Sequence, residues 1–261
     1  MCYSRYENQK HVREEVERIL NENGIKYIII KGYTLAKYYY YEYLRFSSDI
    51  DIVVKKEDYY LARDLLVSSG TFTITKYGQC ELSLQTNNKV DVDLHWTFSR
   101  YDDEINEIYK DVDFDNTNHE LNNEYKLFHL YNHGAKHFYA GFVSFQLLID
   151  IYYLRKEAIN HDVLNELVTK AKLNNFVELV NKVEDTMFYG KQADEETKLF
   201  INYLFDESFY KGTENSIKNI RINKKMNKIF YILFRFFPDP KTMREKYPEA
   251  LDIIGSLQVF L

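Results

Sequence analysis

Cysteine is nearly absent from this 261-residue chain, with Cys2 and Cys80 the whole complement. Two thiols build neither a disulfide framework nor a cysteine zinc site, and they fit a reducing compartment. Proline is as scarce: Pro238, Pro240 and Pro248 all lie in the C-terminal tail, so the helices before it run without proline breaks. Long apolar runs are missing too. The most apolar stretch, Ile229 to Phe237, is interrupted by Arg235 and falls far short of the ~20 residues a bilayer crossing requires. The first helix-like segment carries Arg5, Glu7, Lys10, Arg13, Glu14, Glu15 and Glu17, unlike the apolar stretch of a secretory signal, so a cytoplasmic protein with no membrane partner is expected. No Gly-x-x-x-x-Gly-Lys-Ser/Thr, Gly-x-Gly-x-x-Gly or Gly-x-Ser-x-Gly is present, which removes the P-loop, dinucleotide and serine-hydrolase readings. With a formal net charge of -6, any nucleic-acid partner must be met by a local basic patch.

What is present is an ordinary globular balance, 45% hydrophobic and 28% charged, in a chain long enough for one large domain or two ordinary ones. The 24 tyrosines and 18 phenylalanines are explained first by burial that keeps a polar edge, and only then by stacking on ligands. Val12, Val16, Ile19 and Leu20 recur at helical spacing up to Asn23-Gly24, and Ile25 to Ile30 is a β-branched strand that exits through Lys31-Gly32. Tyr33 to Tyr43 reads as a short helix, and Lys55 to Leu66 as a longer one stopped by Gly70. Thr71 to Lys76, Cys80 to Thr86 and Lys89 to Phe98 then alternate like strands, with a tight turn at Asn87-Asn88 because Asn tolerates positive φ. Beyond about Asn116 the pattern is helical: Tyr125 to Tyr139, Phe142 to Lys156, Asp162 to Leu173, Asn175 to Tyr189 and Asp194 to Phe205. The expectation is an α+β protein, a mixed sheet flanked by helices over residues 1–115 followed by a helical domain over 116–261.

The chemistry concentrates between Lys31 and Asp93. Asp49 and Asp51 stand two apart in a strand with Ile50, Ile52, Val53 and Val54, so both carboxylates share a face, roughly 6.6 Å apart. Their repulsion is on the order of 2 kcal/mol at an effective dielectric near 20, a cost that a bound cation removes. Asp91 and Asp93 repeat the spacing on a later strand. Carboxylates on two adjacent strands suit Mg2+ or Mn2+, hard ions that share their remaining positions with water and substrate phosphates. The competing reading is a solvated strand edge, for which Asp-x-Asp alone is common.

Lys31-Gly32, then Arg45-x-x-x-Asp49-Ile50-Asp51-Ile52-Val53-Val54, then Val92-Asp93-Leu94-His95-Trp96 resembles the nucleotidyltransferase superfamily with a DNA-polymerase-beta-like fold. Within it, the resemblance is to a bacterial nucleotidyltransferase family bearing Lys-Gly, Arg-x-x-x-Asp-Ile-Asp and Asp-Leu-His-Trp elements. His133-Gly134-Ala135-Lys136-His137, Asp150, and Phe237-Pro238 through Tyr247-Pro248 extend it over most of the chain. The resemblance implies an NTP substrate and a two-metal site on Asp49, Asp51 and Asp93, with Asp93 also activating the incoming nucleophile and Asp91 the runner-up for the third ligand. It further implies nucleotide or acceptor contacts from Lys31, Gly32, Arg45 and Ser48, and from His133, Lys136 and His137. One departure stands out: the usual Gly-Ser or Gly-Gly turn is Gly32-Tyr33 here, which shifts phosphate binding onto backbone N–H groups, Lys31 or Arg45.

Other constellations carry less. His129, His133 and His137 form one helical stripe, but Gly134 stands where His-Glu-x-x-His requires Glu, so a polar helix face outweighs zinc. Asp111-x-Asp113-x-Asp115 lacks the glycine and the final glutamate of a calcium loop. Ser216 to Lys246 is basic, with Lys224 and Lys225 at its centre, and reads either as a solvated helix face or as an RNA surface. The function expected is metal-dependent transfer of a nucleoside monophosphate from an NTP to a hydroxyl of RNA or of a small molecule, with release of pyrophosphate. The alternative is a non-catalytic nucleotide-binding or interaction module on the same fold.

Overall fold

The computed structural model describes residues 2–78, 80–99, 102–140 and 143–205. The basic segment Ser216 to Lys246, the apolar run at Ile229 and the three prolines lie outside the described residues. The chain divides into two compact units, one comprising Met1–Ala135 with Ser144–Ala193, the other beginning with Lys136–Val143 and resuming at Asp194.

In the first unit, helix α1 (Cys2–Glu22) leads into β1 (Tyr27–Ile30), the short α2 (Tyr33–Ala36) and a 3-10 turn at Glu42–Leu44, followed by β2 (Asp49–Val54) and α3 (Tyr59–Ser68). The meander β3 (Phe72–Tyr77), β4 (Glu81–Thr86) and β5 (Asp91–His95) completes one mixed sheet in the order β1-β2-β5-β4-β3. Within this sheet β2 and β5 pair parallel, while β1 with β2, β3 with β4 and β4 with β5 pair antiparallel. The architecture is thus the α+β arrangement expected, a mixed sheet flanked by helices.

Period-two alternation decides which face does what. Ile50, Ile52 and Val54 of β2 and Val92 and Leu94 of β5 join Leu82 and Leu84 of β4 in a single core under Val12, Val16, Ile19 and Leu20 of α1 and Ala62 and Leu66 of α3. Asp49, Asp51, Asp91 and Asp93 alternate with these apolar positions, so burying one face of β2 and β5 delivers the carboxylates to the other.

Two local expectations differ from the structure. The helix foreseen over Tyr33 to Tyr43 stops at Ala36. Its tyrosines are drawn in separate directions: the Tyr39 hydroxyl donates to Asp150 at 2.6 Å, that of Tyr38 donates to Asn123 at 3.4 Å, and Tyr40 is 82% exposed. In the β4–β5 turn, positive φ falls on Lys89 (+60°), not on Asn87 or Asn88. Lys89 N–H donates to Thr86 O and Thr86 N–H to Val90 O, which makes a three-residue hairpin loop whose last residue is left-handed.

The helical part follows as α4 (Asp103–Ile108), α5 (Asn123–Ala140), α6 (Phe145–Leu154), α7 (His161–Lys170), α8 (Asn174–Tyr189) and α9 (Glu195–Phe205). The short α4 is not anticipated by the sequence pattern; Asp102 starts it by accepting from Ile105 N–H at 2.9 Å. Gly134 lies inside α5, where a Cβ would come within 2.4 Å of Leu147 Cδ2 and 3.3 Å of Phe176 Cζ. Close approach of α6 and α8, not a metal motif, accounts for that glycine. In the second unit Phe138 packs on Phe200 with ring centroids 5.2 Å apart.

Candidate active site

Parallel pairing puts β2 and β5 in a register that aligns Asp49 with Asp91 and Asp51 with Asp93. Four carboxylates therefore occupy neighbouring positions on one face. Asp51 is the most enclosed, 6% exposed. Lys31 Nζ, at the exit of β1, stands 3.0 Å from its Oδ2, and His95 Nε2 lies 3.2 Å from its Oδ1. Burial alone would raise the Asp51 pKa, yet Lys31 and His95 outweigh it and hold the carboxyl far below the usual range. Asp49 is displaced upward, first by burial, then by the charge of Asp51, with Asp93 adding to it against Lys31 and a Ser48 hydroxyl that donates at 3.0 Å. Two carboxylates two residues apart are thus driven in opposite directions, which marks a site where charge is being managed.

Donor atoms of Asp51, Asp93 and His95 all lie within 4.8 Å of one another. Asp91 is instead engaged by Gln85, whose Nε2 donates to its Oδ1 at 2.7 Å. A hard divalent ion fits this donor set, since Asp51 and Asp93 supply carboxylate oxygen; Asp49 is not among its members, and its pKa is raised first by burial and then by the charge of Asp51.

Around this centre the backbone is constrained. Lys31 adopts φ +58° and Gly32 φ +41°, and a Cβ on Gly32 would stand 3.0 Å from Ser47 Oγ and 3.5 Å from Asp49 O. The Lys31-Gly32 turn therefore lies directly against the segment that carries Ser48 and Asp49. Ser47 Oγ donates to Asp49 O at 3.0 Å, and Gln9 Nε2 of α1 donates to Ser47 O at 3.0 Å.

The remaining candidates go elsewhere. Arg45 forms a bidentate pair with Asp150 of α6, Nε to Oδ1 at 3.1 Å and Nη2 to Oδ2 at 2.9 Å. Its side chain is 7% exposed, and it braces the loop before Asp49. On α5, buried His129 is paired through Nδ1 with the Tyr109 hydroxyl at 2.9 Å, and His133 stacks on it with ring centroids 6.3 Å apart. Lys136 and His137 belong to the second compact unit, Lys136 exposed and His137 half-buried.

Two residues beside the carboxylates are given no role by the motif reading, although His95 stands inside the Asp-Leu-His-Trp element itself. His95 was within reach, since it continues the Asp91, Asp93 alternation on one strand face. Glu81, 3% exposed, has Oε2 3.7 Å from His95 Nδ1 because β4 pairs Glu81 with His95. Nothing in the linear sequence marks that contact.

No curated protein sequence matches the chain. Among solved structures, the solution structure of the antibiotic-resistance factor ANT(2'')-Ia is similar over 66% of this chain and 95% of that one, with 8% identity and a TM-score of 0.47. The family described as uncharacterised nucleotidyltransferase matches residues 3–188, well over half of the sequence. By that match, and in keeping with its carboxylate-bearing mixed sheet, the chain belongs to this nucleotidyltransferase family.

Proposed function

We propose that the protein transfers a nucleoside monophosphate from an NTP to an acceptor hydroxyl of RNA or of a small molecule, at Asp49, Asp51 and Asp93. The observation that carries this reading is the register of β2 on β5, which sets Asp51 beside Asp93 with Lys31 and His95 closing on Asp51. Asp49, Asp51 and Asp93 would hold Mg2+ or Mn2+, which when bound neutralises triphosphate charge and lowers the pKa of a coordinated hydroxyl. His95 orients Asp51 and adds a donor atom to the same cluster. Lys31 offers its ammonium to the phosphates, and the tight Gly32 turn lets backbone approach them without a side chain intervening.

In the reaction the acceptor oxygen forms a bond to the α-phosphorus while the bond from that phosphorus to the bridging oxygen of the β-phosphate breaks, and pyrophosphate leaves with the bonding pair. Asp93 accepts the acceptor's proton. Arg45 acts at one remove, as a positioning residue that braces the Asp49 loop through Asp150.

The test is incubation with each α-labelled NTP, Mg2+ or Mn2+, and fractionated bacterial extract, using the wild type and an Asp49→Asn/Asp51→Asn variant. Label entering one acceptor fraction with the wild type and none with the variant is expected. Full transfer by the variant would sink the assignment, and tight Mg-NTP binding without pyrophosphate release from any fraction would leave a nucleotide-binding module.

A further inference from the structure

One surface cleft borders the carboxylates without being accounted for by the motif. About 370 Å³ in volume, it lies where the first turns of α1 meet the β4–β5 turn, and its walls include Arg5, Asn8, Ser48, Asn88 and Lys89. Its position relative to the active centre is fixed by covalent adjacency: Ser48 precedes Asp49 and bonds to its carboxylate, and Val90, also in the wall, precedes Asp91. The lining contains two cations and no carboxylate, in a chain whose net charge is -6.

Neither cation forms an ion pair among the described residues. Among the described residues, Arg5 lies over the Phe46 ring at 4.5 Å and donates to Ser48 O at 3.4 Å, while Lys89 Nζ donates to the neutral Gln85 Oε1 at 3.2 Å. Both contacts orient the side chains without an ion pair, and Gln85 links Lys89 onward to Asp91 through its Nε2 at 2.7 Å. An arginine fork and a lysine lining one polar cleft suit phosphate recognition. Lys31 already stands on Asp51 at the exit of β1, whereas Arg5 and Lys89 flank the start of β2 and β5. Because β1 runs antiparallel to β2, both sets of cations lie at the same end of the sheet, Lys31 committed to Asp51 and Arg5 and Lys89 beside Ser48 and Val90 in the cleft wall.

Resting on the transferase reading above, we infer that the Arg5–Lys89 cleft binds a phosphate group of the acceptor, so that the acceptor is a phosphorylated molecule whose hydroxyl reaches Asp49 and Asp93. That phosphate belongs either to a polynucleotide backbone or to a small phosphorylated metabolite.

Binding to the full chain of a short 5′-phosphorylated single-stranded RNA, of ribose 5-phosphate and of Mg-ATP distinguishes the sources. Arg5→Gln/Lys89→Gln should weaken whichever acceptor probe binds by about tenfold or more, roughly the loss of a charge-assisted contact, with Mg-ATP affinity unchanged. Because Arg5 also holds the Ser48 loop, Asn8→Asp serves as the second variant: it adds a negative charge to the cleft without removing either contact to that loop, and the same loss is expected. If RNA is the occupant, the double variant should also flatten the slope of log affinity against log salt by roughly 1.4; weakening of ribose 5-phosphate as well assigns the site to a small phosphorylated acceptor. Unchanged binding of both acceptor probes in both variants, no binding of either by the wild type, or a parallel loss of Mg-ATP affinity overturns the proposal. Phosphate-dependent binding lost in the variants, alongside a wild type that transfers no nucleotide to any fraction, would overturn the transferase reading and leave the phosphate site standing.

Discussion

Gly32 has no side chain to contribute, yet it limits how close the Lys31 turn comes to Asp49. At φ +41° an L side chain is strained, and the atom it would meet first is Ser47 Oγ at 3.0 Å. Gly32→Ala should therefore lower stability by about 1–3 kcal/mol and reduce transfer more than that loss explains, because the turn and the Ser47–Asp49 segment must separate. Urea denaturation and initial rates measured side by side check this; unchanged rates would mean that the turn tolerates a methyl group without moving the carboxylates. At this scale the carboxylates of the candidate site are legible in the sequence. Strand alternation puts Asp49 with Asp51 and Asp91 with Asp93, the resemblance to the nucleotidyltransferases singles out Asp93, and His95 follows from the alternation carried one step further. Arg45 shows the limit: as a free cation it reads as a phosphate contact, and its commitment to Asp150, 105 residues away in sequence, is invisible until α6 is in place.

Among the elements, the Arg45–Asp150 pair ties the loop entering β2 to α6, with both side chains nearly inaccessible. Removing one partner strands the other charge, so Asp150→Ala should destabilise by about 3–5 kcal/mol, while Arg45→Met with Asp150→Leu should cost well under the sum of the single changes. A double-mutant cycle by chemical denaturation measures this, and strict additivity would refute a coupled pair. A second buried acid joins α8 to the end of α6, where Glu184 pairs with Arg155. Burial pushes its pKa up to about 7 despite the guanidinium. The folded state then holds a proton between the unfolded value near 4.5 and about 7, so this contribution to stability is complete below the unfolded pKa and lost as pH rises through 7. The thermal midpoint should fall between pH 5 and pH 8, and Glu184→Gln should flatten that decline; an equal slope in the variant would exclude Glu184 as its source. Most elements are readable from periodicity and turn residues. The tyrosine segment is not, because equal neighbours give no face to bury and distant partners decide.

For the molecule as a whole, the carboxylate cluster predicts a linkage between metal and folding. An ion binding only the folded state adds about 2.7 kcal/mol at a hundredfold excess over its Kd, which for a chain of this size is roughly 5–10 °C in melting temperature. Mn2+ should produce such a shift in the wild type and none in Asp49→Asn/Asp51→Asn; equal shifts would place the ion elsewhere. Among the described residues no helix is long and apolar enough to cross a membrane, in line with the lack of long apolar runs.

By itself the sequence determined the alternation that segregates carboxylates from the apolar face, the α+β order of elements, and the identity of the Lys31 to Asp93 stretch, because these depend on neighbours a few residues apart. Only tertiary structure decided that β5 lies parallel beside β2, so that Asp51 meets Asp93 and not Asp91, that Glu81 supports His95 from β4, and that Arg45 turns away to Asp150. Strand order and register are set by how whole faces pack against α1 and α3, and a linear pattern cannot encode which of several equally apolar strands will be the neighbour.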